Sequence, residues 1–326
     1  MKRCALGNSK IKVSAIGMGC MGFSHGDGIG PSANKSIDLM RKVFDLGCTF
    51  FDTAEVYGTG ESERLVGRAL APIRDQVVNA TKFYLSGPIS REQFGKNIWA
   101  HLDASLVRLG TDHVELYYQH RVADSIPVED VASIMGELIV EGKIRGWGQS
   151  QATEQQIRRA HAVTPLTAIQ SEYSMMERIF EKDVIPACEE IGIGFVPFSP
   201  LARGFLSGKV TTNDTFIGDD VRRAITRFDK DNMRANQPLL GLLSTFAQSK
   251  KATPAQISLA WMLHKKDFIV PIPGMHRLER IEGNLGAADA DLTEEEFKCI
   301  EAELSRIEIH GNRTDEDIAK LYTKNS

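Results

Sequence analysis

Eight short apolar runs, separated by stretches of helical period, constrain the fold of this chain more than any other feature. They read VSAIGMG, TFFDTA, VVNATKF, VELYYQH, IRGWGQS, TAIQSEY, GFVPFSP and FIVPIPG. Most are rich in β-branched or aromatic residues and end in Gly, Pro or polar residues, as strands buried on both faces do. Apolar positions recur with helical spacing between them, for example over 36–46, 62–70, 92–109 and 128–140. Strands alternating with helices imply a parallel sheet with right-handed crossovers. Eight such units with no Pro/Ser-rich linker predict an α/β fold, a closed (β/α)8 TIM barrel, with a doubly wound sheet as the alternative. Its 326 residues suit one barrel domain spanning 1–326. Three additions interrupt the rhythm: an N-terminal β-hairpin around 4–12, a long polar stretch over 209–236, and an extra C-terminal helix around 293–305. Loops of that length often serve as lids or binding loops.

Bulk properties remove several function classes. A net charge of -4 argues against a nucleic-acid partner. The five cysteines, Cys4, Cys20, Cys48, Cys188 and Cys299, are odd in number and form no C-x-x-C pair, which suits reduced thiols and a cytoplasmic location. No apolar stretch reaches the ~18 residues that span a membrane, and MKRCALGNSK lacks the apolar core of a signal peptide. The sequons at Asn79, Asn213 and Asn312 are therefore read as accidental. One motif is a decoy. Residues 17–22, Gly-Met-Gly-Cys-Met-Gly, match the dinucleotide fingerprint G-x-G-x-x-G, whose glycines should open a helix. Here they run into FSHGDGIGP, which cannot start a helix before about Ser32, and the position of the ribose-binding acid holds Leu39, Met40 and Arg41.

Barrel active sites lie at the C-terminal ends of the strands. The second run ends at Asp52, the third at Lys82 and the fourth at His120, with Tyr57 on the loop after the second. Neighbouring strands lie roughly 4.8 Å apart, so an acid, an amine, an imidazole and a phenol converge on one rim. Each alone has a plainer reading: a rim salt bridge, a core histidine, a packing tyrosine. Together they suit general acid catalysis. Asp52 fixes Lys82, the lysine beside a phenol favours the phenolate, and His120 donates a hydrogen bond that orients a carbonyl. The histidines lack metal-ligand spacing, so no metal site is expected.

These residues, in this order, resemble the aldo-keto reductase superfamily, specifically the bacterial and plant branch that includes pyridoxal reductases and potassium-channel β-subunit-like proteins. The resemblance rests on FFDTAEVYGTGESERLVGRAL, ATKF, LYYQH, SPLARGFLSGK and IPGMHRLERIEGNLGA and covers nearly the whole chain. It implies NADPH-dependent reduction of an aldehyde or ketone, a small-molecule carbonyl, with Tyr57 as proton donor, Lys82 and Asp52 tuning it, and His120 orienting the carbonyl. It also implies NADP(H) contacts. Ser150, Gln151 and Gln170 match positions that bind the nicotinamide amide, and Phe198 stands where a tyrosine usually stacks on the ring. Ser199, Leu201, Arg203 and Lys209 match those that wrap the pyrophosphate. Gly274, Met275, Arg280 and Asn284 match those around the adenosine 2'-phosphate and adenine. Departures from the family pattern are Gln151 for Asn or Glu, Ala202 for a common glycine, Met275 for a hydroxyl residue and Gly283 for an acid. Phe23, Tyr84 and Trp147 are candidates for an apolar substrate wall. A regulatory barrel that binds NADP(H) with little turnover is the alternative, and an isomerase barrel with an Asp/His base a third reading. The pattern names neither a physiological substrate nor an oligomeric state.

Overall fold

The computed structural model describes residues 1–312 apart from 27, 29, 86–90 and 124; the end of the expected domain, 313–326, lies outside the described residues. An antiparallel hairpin, β1 (Arg3–Ala5) and β2 (Lys12–Ser14), comes first. Strands and helices then alternate: β3 (Met18–Gly19), α1 (Ala33–Asp45), β4 (Phe50–Asp52), α2 (Glu61–Leu70), β5 (Val78–Phe83) and α3 (Arg91–Leu109). They continue through β6 (Val114–Gln119), α4 (Val128–Val140), β7 (Ile144–Ser150), α5 (Glu154–Val163), β8 (Ala168–Glu172), α6 (Val184–Ile191) and β9 (Gly194–Phe198). After β9 come α7 (Lys230–Ala235), α8 (Gln237–Lys250), α9 (Pro254–Lys265), α10 (Leu278–Leu285) and α11 (Glu294–Leu304). No helix among the described residues is long and apolar enough to cross a membrane.

β3 to β9 form one parallel sheet in chain order. The eighth position is filled by 269–274, the predicted run FIVPIPG, which joins both edges. On one side Val270 and Ile272 N–H groups donate to the Phe195 and Pro197 carbonyls at 2.9 and 3.0 Å; on the other, Gly17 and Gly19 donate to the Pro271 and Pro273 carbonyls at 2.9 and 3.1 Å. Pro271 and Pro273 have no N–H to return. Those ladder bonds toward β3 are therefore missing, and apart from isolated bridges at Gly19–Gly274 and Phe195–Ile269 the segment closes the barrel without forming a regular strand. The structure is a (β/α)8 barrel.

Side chains alternate across each strand, which divides the core in two. Phe50, Val78, Ala80, Leu116, Tyr118, Ala168 and Val196 fill the barrel, with Leu6 and Val13 of the hairpin in the same cluster. The outer cluster, containing Phe51, Phe83, Tyr117, Trp147 and Ile169, packs against the helices. Gly148 makes room at the centre: a Cβ there would stand 2.5 Å from Cε1 of Tyr118. Phe23 and Trp147, expected as candidates for a substrate wall, are buried in the outer cluster instead, and the Trp147 indole N–H is spent on the Thr164 carbonyl at 3.2 Å.

Candidate active site

The inward positions at the C-terminal ends of the strands are polar. Asp52 and Lys82 occupy them on β4 and β5, with the Lys82 side chain fully buried. The Lys82 ammonium donates to Asp52 Oδ1 and, at 2.6 Å, to the Thr53 carbonyl. Gln170 on β8 donates an amide N–H to the other Asp52 oxygen at 2.8 Å. Burial pushes the Asp52 carboxyl above its ordinary value, against the pull of Lys82 and Gln170. Burial opposes the charge of Lys82, but Asp52 and then Tyr57 hold its pKa above that of an ordinary amine. Lys82 therefore stays protonated.

Tyr57 and His120 complete the corner. The Lys82 Nζ lies 5.1 Å from the Tyr57 ring centroid. The rings of Tyr57 and His120 meet edge to face, 5.7 Å between centroids. Burial first, then Lys82, Arg121 and His25, hold His120 well below the usual histidine pKa, so its ring is neutral. A neutral imidazole carries one N–H, and His120 Nδ1 has no hydrogen-bond partner among the described residues. A buried lysine, a partly exposed phenol and a neutral imidazole are thus gathered at one rim.

This rim opens into a cleft of about 380 Å3. Of the residues expected at the site, Asp52, Tyr57, His120, Ser150, Gln170, Phe198, Ser199, Leu201, Arg203, Lys209, Gly274, Arg280 and Asn284 line it, and Lys82 lies buried beneath. Two do not line it. Gln151 adopts a left-handed backbone, φ 57, and its side-chain oxygen accepts the Glu172 N–H at 3.2 Å. Met275 is fully buried in the outer core. Ala202 and Arg203 hold left-handed φ values of 46 and 54, the conformation that the expected glycine would accept without strain.

Further residues line the cleft that the strand-end reasoning missed. Two of the decoy glycines belong to it: Gly19 at the end of β3 and Gly22 in the single 3-10 turn Met21–Phe23 line the cleft with Cys20 and Met21, and no α-helix opens there. His25 stacks on Tyr57 with 6.3 Å between centroids. Arg121 donates to the His120 carbonyl at 2.7 Å and to Ser150 Oγ at 3.3 Å; its place directly after His120 was the available signal. The polar stretch over 209–236 contains two 3-10 turns and α7. Arg227 pins it through Glu177 at 2.6 Å and Glu172 at 3.5 Å. Val221 N–H bonds the Gly26 carbonyl at 3.1 Å, so Val221 and Arg222 come to the cleft as well. Among the described residues, no group of three or more His, Cys, Asp or Glu side chains is placed to hold a metal ion.

Comparison with known proteins gives one consistent answer. Residues 15–304 match the model of the Aldo/keto reductase family. A probable aldo-keto reductase 1 from Glycine max is 36% identical over 300 residues, covering 90% of this chain and 86% of that one. The glycerol dehydrogenase of Gluconobacter oxydans is similar in structure, with a TM-score of 0.84, 26% identity, and coverage of 96% of this chain and 97% of that one. An aldo/keto reductase from Klebsiella pneumoniae, solved in complex with NADP and acetate, aligns with a TM-score of 0.74 and 26% identity over 97% of this chain and 99% of that one.

Proposed function

The chain belongs to the aldo/keto reductase family, and from that premise we propose that it reduces aldehydes or ketones to alcohols with NADPH, using Tyr57 as the general acid. The observation that carries the reading is the buried Lys82 ammonium, fixed by Asp52 and the Thr53 carbonyl, 5.1 Å from the Tyr57 ring. A cation there stabilises the phenolate left behind when the proton departs.

The residues present fit the cofactor. Ser150 and Gln170 offer donors and acceptors to a carboxamide, and Phe198 an aromatic face. Arg203 and Lys209 on the loop after β9, and Arg280 on α10, supply the positive charge that phosphates need. The NADP bound by the Klebsiella pneumoniae relative supports the same cofactor. When bound, NADPH supplies the hydride for the carbonyl carbon. The protein does the rest. His120, neutral, donates its ring N–H to the carbonyl oxygen and orients it. Tyr57 Oη gives that oxygen a proton as negative charge develops on it, and Lys82 holds the resulting phenolate until solvent reprotonates it.

NADPH consumption with a panel of aldehydes, checked by identifying the alcohol product, tests the reading. Turnover supports it. Tight NADPH binding with negligible turnover across the panel would favour a cofactor-sensing barrel, and reaction without nicotinamide an isomerase.

A further inference from the structure

Glu55, two residues before Tyr57, has no part in the chemistry above, yet its carboxylate is nearly buried and engaged on both sides. The regular pairing of β4 with β5 ends at Asp52 opposite Ala80. Beyond it, Thr53 N–H still reaches the Ala80 carbonyl at 2.9 Å and Glu55 N–H the Lys82 carbonyl at 3.4 Å. The next group on the β5 side is the Tyr84 N–H, and there the chain supplies a side chain in place of backbone: Glu55 Oε1 accepts it at 2.8 Å. The other oxygen, Oε2, lies 2.7 Å from His101 Nδ1 and 4.0 Å from Arg108 Nη2, both on α3.

The same helix holds the far end of the loop. Arg108 bonds Glu63 through Nε and lies against Gly60, whose φ is +82 and where a Cβ would stand 2.5 Å from the Arg108 Cδ. Tyr57 is thus suspended between two attachments to α3, Glu55 before it and Gly60 after it. The Tyr84 ring, whose backbone Glu55 holds, stands edge-on to His120 at 6.4 Å. The hydrogen bond to Glu55 raises the His101 pKa against partial burial, which favours a charged partner for the carboxylate.

We infer that Glu55 is a positioning residue that sets the distance between the Tyr57 phenol and Lys82, by extending the β4–β5 ladder with its carboxylate onto the Tyr84 N–H. The inference rests on Tyr57 being the proton donor. A phenol displaced by an ångström loses alignment with both the cation below it and the carbonyl above it, and such displacements cost up to about 10²-fold in rate.

Single-turnover hydride transfer from NADPH to a reducible aldehyde reads this directly. Glu55→Ala should slow transfer about 10-fold or more, with the NADPH Kd and the aldehyde KM within about twofold of the parent. Glu55→Gln should recover most of the rate, because its amide oxygen still accepts the Tyr84 N–H. Glu55→Asp keeps the negative charge but draws the carboxylate back by one methylene, out of reach of the Tyr84 N–H, so it should share the loss; it also decides the matter if the alanine variant does not fold. A role in stability alone predicts a lower melting temperature with an unchanged rate in the folded protein. Alanine and aspartate rates within about twofold of the parent, with Tyr57→Phe inactive, would overturn the positioning role and leave the donor assignment standing. Equal loss in the glutamine variant would also overturn it, since the Tyr84 bond would not be what matters. An active Tyr57→Phe would overturn the donor assignment itself.

Discussion

Replacing Lys82 with methionine should destabilise the protein in a way that grows with pH. The side chains of Lys82 and Asp52 are 0% and 3% exposed, so the substitution strands a carboxylate in the barrel with the Gln170 amide as its remaining described side-chain partner. Breaking a buried pair by removing one member costs about 3 to 5 kcal/mol, about two to four decades in the folding equilibrium at 1.4 kcal/mol per decade. Asp52 can escape part of that cost by taking up a proton. Burial already lifts its carboxyl above the ordinary range while Lys82 pulls it down, and without Lys82 the lift is opposed only by Gln170. A folded-state pKa raised above the unfolded value of about 3.9 means that the folded state keeps a proton the unfolded chain releases. That contribution is fully present below the unfolded pKa and is lost as pH rises through the folded one. The deficit of Lys82→Met should therefore be smallest at acid pH and widen toward neutral pH. Urea unfolding with linear extrapolation at several pH values measures it. The double variant Lys82→Met/Asp52→Asn should regain most of the stability, because replacing both members of a buried pair is often close to neutral, and should stay catalytically impaired. A Lys82→Met deficit below about 1 kcal/mol and flat with pH, the behaviour of an exposed pair, would refute the reasoning.

Two more expectations concern the ends of the cleft. The protein should prefer NADPH to NADH, with Arg280 carrying most of the preference. A charge-assisted bond to the 2'-phosphate is worth roughly 1.5 to 3 kcal/mol, or about 10- to 150-fold, and the lower half is expected because Met275 is buried and offers no hydroxyl. In Arg280→Ala the ratio of dissociation constants at fixed low salt should fall toward unity through weaker NADPH binding; equal losses for both cofactors would contradict the assignment. At the other end, the depressed pKa of His120 keeps its ring neutral until pH falls far below the usual value of ~6.5. Single-turnover rates should show no limb between about pH 6 and 7 that belongs to His120. A limb there that His120→Gln abolishes would contradict a neutral donor.

The strands were legible because a parallel sheet covered on both faces turns each of them into a short apolar run, and the polar residue that ends each run marked the rim. Parity carried more information than the expectations used. With Ser150 facing inward, Gly148 and Gly146 share its side and Trp147 must face the helices, which removes Trp147 from a substrate wall. The run FIVPIPG was legible as a barrel position, but its prolines leave it short of a regular strand. Glu55 was not legible as a brace, because its partners His101 and Arg108 lie on a helix whose contacts no local pattern encodes. Likewise the sequence places Gln170 at a strand end as a cofactor contact, but its additional bond to Asp52, 118 residues away in sequence, appears only when the barrel closes. His25 reached the site through a glycine-rich loop with no periodicity to follow.

Tyr57→Phe removes one oxygen atom and keeps the ring against His25 and His120. Single-turnover hydride transfer from NADPH to an aldehyde, measured for this variant and the parent, isolates the proton that the phenol is proposed to give. The rate should fall by about 10² to 10⁴-fold, the usual contribution of general acid catalysis, with the NADPH dissociation constant unchanged. A variant that kept more than about a tenth of the parent rate would contradict Tyr57 as the proton donor.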